Sequence, residues 1–218
     1  RLHISDIGVK FNKLDALKGV HANIDGGKII AVLGPNASGK TTLLRSIAGL
    51  IAPTKGKIIL DGTRIDRMSP RDRASKVSWV PRVADVAGSF SIRRVVELGR
   101  YALGPSIERV DDALHQVDLF DRADSLWHTA SAGMRQRAAF ARALAQRTPG
   151  GLLVLDEPSS ALDLQHLQAM GTLLRNCVNE GDIVIAALHD IAFAMEIADE
   201  VIVLKEGMVV LAGQLDAV

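Results

Sequence analysis

The period of the apolar positions changes twice along this chain. Residues 2–11 read as a strand, a Gly26-Gly27 turn follows, and the apolar run 29–33 feeds a glycine-bearing loop. A helix is expected over residues 41–50. Pro53 and Gly56 then punctuate the chain before a short strand, 57–60, and an Asp61-Gly62 turn. Ser69-Pro70 supplies the N-cap and first helical position of a short helix ahead of a strand at 77–80. From about residue 84 to residue 147 the spacing turns helical, in 92–98, 110–119 and 138–144, with no strand candidate, which reads as a helical insertion. The strand pattern returns at 152–155, 183–187 and 201–204. Helix-length segments separate these strands, so they are expected to be parallel and joined by crossovers. No internal repeat and no low-complexity segment interrupts the pattern.

A chain of 218 residues is long enough for one α/β domain with a small insertion, and its core needs no disulfide or metal to form. Charged residues make up 23%, with 26 basic against 25 acidic side chains and a net charge of +1, so nothing demands a nucleic-acid partner. The clusters Arg71 to Arg73 and Arg93 to Arg94 read as solvated helix faces. Cys177 is the only cysteine; it cannot form an internal disulfide, fits a reducing compartment, and reads as a core or helix-surface thiol. Apolar stretches such as 183–188 fall far short of the roughly 20 residues that span a bilayer. No signal peptide precedes the first strand-like segment, and a chain that begins with Arg1 rather than Met is expected to have a trimmed start.

Gly34-Pro35-Asn36-Ala37-Ser38-Gly39-Lys40-Thr41 has P-loop spacing and sits where the chemistry requires, after an apolar strand and at the start of a helix. Backbone N–H groups of the loop and the positive end of the helix suit a β-phosphate. Lys40 reaches the β and γ oxygens, Thr41 ligates magnesium, and Thr42 completes the phosphate-binding set. Residues 152–155 run into Asp156-Glu157. Taken alone, that pair reads as a solvated strand end; beside a P-loop, Asp156 becomes a magnesium holder and Glu157 the general base that orients the attacking water. His189 follows the strand 183–187. Its default reading is a surface or capping residue, and next to a γ-phosphate it becomes a hydrogen-bond donor in catalysis with Lys40 and Glu157.

With these residues in place the chain resembles an ABC transporter ATPase subunit over essentially its whole length. Ala130-Ser131-Ala132-Gly133-Met134, followed by Arg135-Gln136-Arg137, stands where that family carries its Leu-Ser-Gly-Gly-Gln signature. Ser160-Ala161-Leu162-Asp163 matches its D-loop and His189 its switch histidine. Phe11 falls where the family stacks an aromatic ring on adenine, although in isolation it reads as a core phenylalanine. The resemblance implies an α/β fold: a P-loop NTPase core with a mainly parallel sheet (about 1–83 and 148–218), an N-terminal antiparallel β subdomain and an inserted helical subdomain (about 84–147). It implies ATP and Mg2+ as cofactors, with Ser131, Gly133 and Asp163 among the nucleotide-contacting residues. It also implies a head-to-tail homodimer in which each ATP lies between the P-loop of one copy and the signature of the other. Transmembrane permease subunits, an extracytoplasmic substrate-binding protein and a place on the cytoplasmic face of the inner membrane complete the expectation, with no nucleic acid.

A narrower resemblance, to subunits serving importers of iron-siderophore, haem or cobalamin, rests on Ser91-Ile92-Arg93-Arg94-Val95-Val96-Glu97-Leu98-Gly99-Arg100 with Tyr101, and on an end soon after Gly213 without a regulatory domain. Two departures stand out. Ala130, Ala132 and Met134 replace the usual signature residues, and a methyl at Ala132 is expected to cost affinity if phosphate approaches closely there. Arg82, in Trp79-Val80-Pro81-Arg82, stands where the family's Q-loop puts glutamine, and a guanidinium has no lone pair with which to ligate magnesium. These departures favour an alternative reading, an ATP-dependent dimerisation switch that turns over poorly. A soluble ABC-type ATPase of translation or DNA repair is the third; it usually carries two such domains or a long inserted arm.

Overall fold

Residues 1–12 and 14–215 are described by a computed structural model. In chain order the elements are β1 (Leu2–Phe11), β2 (Leu14–Ile24), β3 (Lys28–Leu33), α1 (Lys40–Ile47), β4 (Lys55–Leu60), β5 (Thr63–Arg64), α2 (Pro70–Lys76) and β6 (Val77–Val80). After them come α3 (Ile92–Glu97), α4 (Ile107–Gln116), α5 (Ala132–Gln146), β7 (Leu152–Asp156), α6 (Leu164–Asn179), β8 (Ile183–Ala187), α7 (Ile191–Ile197), β9 (Glu200–Lys205) and β10 (Met208–Gln214).

Two sheets organise the molecule. A six-stranded sheet runs β10-β9-β3-β8-β7-β6, parallel throughout except for β10, which folds back antiparallel on β9. An antiparallel sheet of order β2-β1-β4-β5 faces it. The middle stretches of the parallel strands, such as 29–33, 152–155 and 183–187, are unbroken apolar runs because both of their faces are covered. Ile29, Ala31, Leu153, Leu155, Val184 and Ala186 pack into one core with α3 to α7. Ile30, Val32, Leu152, Val154, Ile183 and Ile185 pack into a second core with α1 and the antiparallel sheet. Side chains alternate across a strand, so one continuous apolar run supplies both cores.

Between β6 and β7 the described residues are helical or irregular, apart from one isolated bridge, Ser91 to Leu126. Arg93 is not simply solvated: it pairs with Asp111 of α4 and lies over the Phe120 ring at 5.7 Å. Cys177 is buried. Among the described residues no helix is long and apolar enough to cross a membrane.

Several boundaries differ from the pattern-based expectation. The helix expected to reach residue 50 ends at Ile47, because Gly49 takes φ of 69°, where a Cβ would run into Arg73 and Ile65. The helix expected over 110–119 is displaced to Ile107–Gln116; Ser106 caps its start, and Asp118 enters the left-handed region just beyond its end. Strand β2 carries too many exposed polar positions to stand out, since one face of it is open to solvent, whereas β10 is apolar over 208–212 but lies exposed or half-buried along its whole length.

Candidate functional site

Among the described residues six helices begin with a side-chain cap. Ser69, Ser91, Ser106, Ser131, Asp163 and Asp190 each accept a hydrogen bond from a backbone N–H of the first turn. Helix α1 differs: Gly39 stands at its N-cap, and among the described residues its first turn has no side-chain cap. Its free N–H groups and the positive end of its dipole point out of the fold at the carboxyl end of β3, where an anion would satisfy them.

The loop that delivers α1 is held in a form few sequences can adopt. Gly34 has φ of 143°, and a Cβ there would lie 2.1 Å from the Leu204 carbonyl oxygen. Gly39 has φ of 105°, with the Ala16 carbonyl oxygen 2.8 Å from a Cβ position. Ala37 takes φ of 61° and so bears a strain that a glycine would not. The β9–β10 turn braces the loop from outside: Gly207 N–H donates to the Ser38 carbonyl at 3.0 Å, and Lys18 N–H of β2 donates to the Gly207 carbonyl at 2.8 Å.

Lys40 is 5% exposed, and its Nζ donates to the carbonyls of Gly34 (2.8 Å) and Pro35 (3.1 Å). Burial pushes the ammonium toward losing its proton; Glu157 and Asp156 oppose this and Arg82 adds to it. Thr41 Oγ1 donates to Asp156 Oδ1 at 3.0 Å across the gap between α1 and β7. Burial raises the Asp156 carboxyl above the usual carboxylate range, against the Thr41 hydrogen bond. A hydroxyl and a buried carboxylate in contact form a hard oxygen pair that fits a small divalent cation. Ser38 Oγ, buried in the same loop, has no hydrogen-bond partner among the described residues. That polar atom is one more group that a bound phosphate or its ion would satisfy.

Glu157, one residue past β7, takes φ of 50° and is 5% exposed. Its N–H donates to the Ala187 carbonyl at 3.1 Å, which ties the strained residue to β8. Its oxygens each meet a cationic or potentially cationic group: His189 Nε2 lies 2.6 Å from Oε1, and Arg82 Nε lies 2.8 Å from Oε2. A left-handed non-glycine residue carrying a buried carboxylate is the kind of strain that collects at working sites.

These groups surround a cleft of about 700 Å3, lined by Phe11, Asn36 to Thr42, Arg82 and Glu157. Phe11, at the end of β1, is 45% exposed and presents a ring to the cleft. The antiparallel sheet also contributes Leu14, Ala16 and Lys18, and the β9–β10 turn contributes Glu206 and Gly207. No motif in the sequence marks these last residues, because their place depends on how the two sheets face each other. Arg82 stood out in the sequence as a departure, but its contact with Glu157 could not be read there.

Ser131, Gly133 and Asp163 are not among the residues lining this cleft. Ser131 caps α5, its Oγ accepting from Met134 N–H at 3.2 Å, and its surface is exposed. Gly133 is required by packing, since a Cβ there would lie 2.9 Å from the Ala161 carbonyl oxygen. Asp163 caps α6, accepting from the His166 N–H at 2.9 Å, and that bond with the His166 side chain holds its carboxyl below the usual range. Ala132 is exposed beside Ser131. Within one chain the signature residues therefore take no part in lining the P-loop cleft.

Comparison with known proteins gives a consistent result. Residues 17–160 match the family described as ABC transporter. The chain is 40% identical over 196 residues to a hemin import ATP-binding protein of Rhodopseudomonas palustris, covering 86% of this chain and 73% of that one. It is 35% identical over 219 residues to a cobalamin import ATP-binding protein of Halobacterium salinarum, covering 97% of this chain but only 54% of the relative. Among solved structures, a dimeric ATP-binding cassette in a post-hydrolysis state bound to ADP and Pi superposes with a TM-score of 0.89 at 28% identity, covering 99% of each chain. A bacterial Atm1-family ABC exporter with ATP bound gives 0.88 at 25% identity over 99% of this chain and 39% of that one. The fold is therefore shared by cassettes that serve opposite directions of transport.

Proposed function

This chain belongs to the ABC transporter family and is one of its ATPase cassettes, and from that premise we propose that it powers import of a tetrapyrrole such as haem or cobalamin through a membrane permease. The support for the cargo class is that relatives sharing 35–40% identity are named for hemin and cobalamin import. On this reading the chain sits at the cytoplasmic face of the membrane against transmembrane subunits, which an extracytoplasmic binding protein loads.

The observation that carries the mechanism is the cluster of Lys40, the Thr41–Asp156 pair and the Glu157–His189 pair around the uncapped start of α1. Lys40 leaves the Gly34 and Pro35 carbonyls, which act as stand-ins, for the β and γ phosphate oxygens. Backbone N–H groups from Asn36 to Thr42 cradle the β-phosphate, and Phe11 stacks on the adenine. Thr41 and Asp156 would hold Mg2+, which supplies charge neutralisation along the phosphates. Glu157 accepts the proton of the attacking water, and its strained backbone and its bond to β8 fix it in that place. His189 holds Glu157 through Nε2 in the nucleotide-free site and turns that donor to the terminal phosphate when ATP binds.

The signature residues lie away from the cleft, and this supports a composite site. A second copy presents Ser131 and Gly133 at the N-terminus of α5 to the same terminal phosphate, with Asp163 nearby. The test mixes Lys40→Ala protein with Ser131→Arg protein, each inactive alone. Activity appearing only in the mixture is the expected result. No recovery, despite mixed dimers seen by size, would overturn the composite site. The ion pair between Arg82 and Glu157 favours a second reading, in which ATP drives dimerisation with little turnover; one hydrolytic burst per dimer without steady-state activity would establish it.

A further inference from the structure

Arg82 follows Pro81 at the carboxyl end of β6, and its side chain is 58% exposed against 6% for the Glu157 that it touches. Only one end of this pair is fixed. Glu157 is locked by burial, by β8 and by His189, whereas the arginine stem is largely in water and can swing. The contact is made through Nε, 2.8 Å from Glu157 Oε2, which leaves the Nη edge of the planar fork open to a second partner. Both side chains line the cleft that holds Lys40, Asn36 and Thr41, so the free edge of the guanidinium belongs to the phosphate end of the site.

Charge decides where such a group goes once nucleotide arrives. A single buried carboxylate, already shared with His189, competes with a triphosphate tail carrying several charges, and the planar fork of arginine matches a phosphoryl group better than a lone carboxylate oxygen does. A glutamine could offer a metal its carbonyl oxygen, but an arginine can only donate, so its partner in the loaded site has to be an anion.

We propose that Arg82 is a ligand of the terminal phosphate of the nucleotide, parked on Glu157 while the site is empty and exchanged onto the phosphate when ATP binds, which frees Glu157 for its role. The inference rests on the nucleotide reading of the cleft. The exchange makes the resting site self-neutralised, and it lets this chain distinguish ATP from ADP through a cation of its own.

The experiment is equilibrium binding of fluorescent ATP and ADP analogues to the full chain in EDTA, so that neither hydrolysis nor metal affinity enters. Arg82→Ala should weaken ATP by about tenfold or more, the worth of a charge-assisted contact, and leave ADP within about twofold of the parent. Arg82→Lys should recover part of the loss because the charge returns without the fork. Equal loss for both nucleotides, or no loss for ATP, would show that Arg82 does not reach the terminal phosphate. A parent protein that binds neither nucleotide would instead sink the reading of the cleft itself. The parking half is tested by a double-mutant cycle. Glu157→Gln should tighten ATP more in the Arg82 background than in Arg82→Ala. Additive effects would overturn the exchange. Arg82 is a surface residue, so a folded variant is expected, and circular dichroism of each protein verifies it.

Discussion

The two ends of the parallel sheet handle buried charge in opposite ways. At the amino ends of the strands, Asp182 is fully buried and its charge is used up within the fold. Its Oδ2 accepts from Arg147 Nη1 at 2.8 Å, its Oδ1 accepts from Gly151 N–H at 3.1 Å, and its carbonyl accepts from Gly27 N–H at 2.9 Å. Arg147 also donates to Glu180 at 2.6 Å, and Asp199 accepts from Ile29 N–H at 2.7 Å while pairing with Arg175. At the carboxyl ends, Lys40 bonds carbonyls of its own loop, Ser38 Oγ has no partner among the described residues, and Glu157 and Ala37 stand in left-handed backbone. One end is built to stay closed. The other keeps its donors and acceptors on partners that a ligand can replace, and bears strain to do so.

The largest expected effect breaks the working end. Glu157→Gln should lower steady-state ATP hydrolysis by about 10²–10⁴-fold while ATP remains bound, as measured by phosphate release beside filter binding. Hydrolysis near the parent rate would remove Glu157 from the role of base. The structural end is broken by Asp182→Ala, which leaves Arg147 without its buried partner and should cost about 3–5 kcal/mol in chemical denaturation. ATP affinity of the folded fraction should not change. A loss under about 1 kcal/mol, the scale of an exposed pair, would erase the contrast between the two ends.

Cys177 reports on the same structural end, because burial pushes its thiol up to about 11 against the nearby Arg147, from an ordinary 9.0. The folded thiol keeps its proton at a pH where the unfolded chain has lost it. Stability from this residue is therefore fully present below pH 9 and is lost as pH rises from about 9 toward about 11, by roughly 2–3 kcal/mol at most. Denaturation of the parent and of Cys177→Ala across that window should diverge, with the variant flatter, and parallel curves would refute it. Thiol labelling of the native protein at pH 8 should be slow for the same reason. The smallest effect sharpens the account of strain: Ala37→Gly should stabilise the fold by up to about 1 kcal/mol, since relief of a left-handed alanine outweighs the added freedom of the unfolded chain. A destabilised variant would mean that the loop does not bear this strain.

The sequence alone was enough for whatever depends on neighbours along the chain. The P-loop could be read because a strand, two fixed glycines and a helix start must follow one another directly. The parallel strands could be read because burial on both faces forces an unbroken apolar run, and the cap at Ser69 because a helix end is satisfied locally. The tertiary structure decided whatever depends on strands meeting side by side. The order β10-β9-β3-β8-β7-β6 brings Asp156 to Thr41, His189 to Glu157 and Arg82 to Glu157, from segments far apart in the chain. It also pairs β1 with β2, a strand whose polar face hides it from periodicity, and makes their hairpin a wall of the nucleotide cleft. Spacing in sequence carries no record of such pairings, because strand order and register are fixed only when two apolar faces are buried at once and every backbone donor at the strand edges finds a partner.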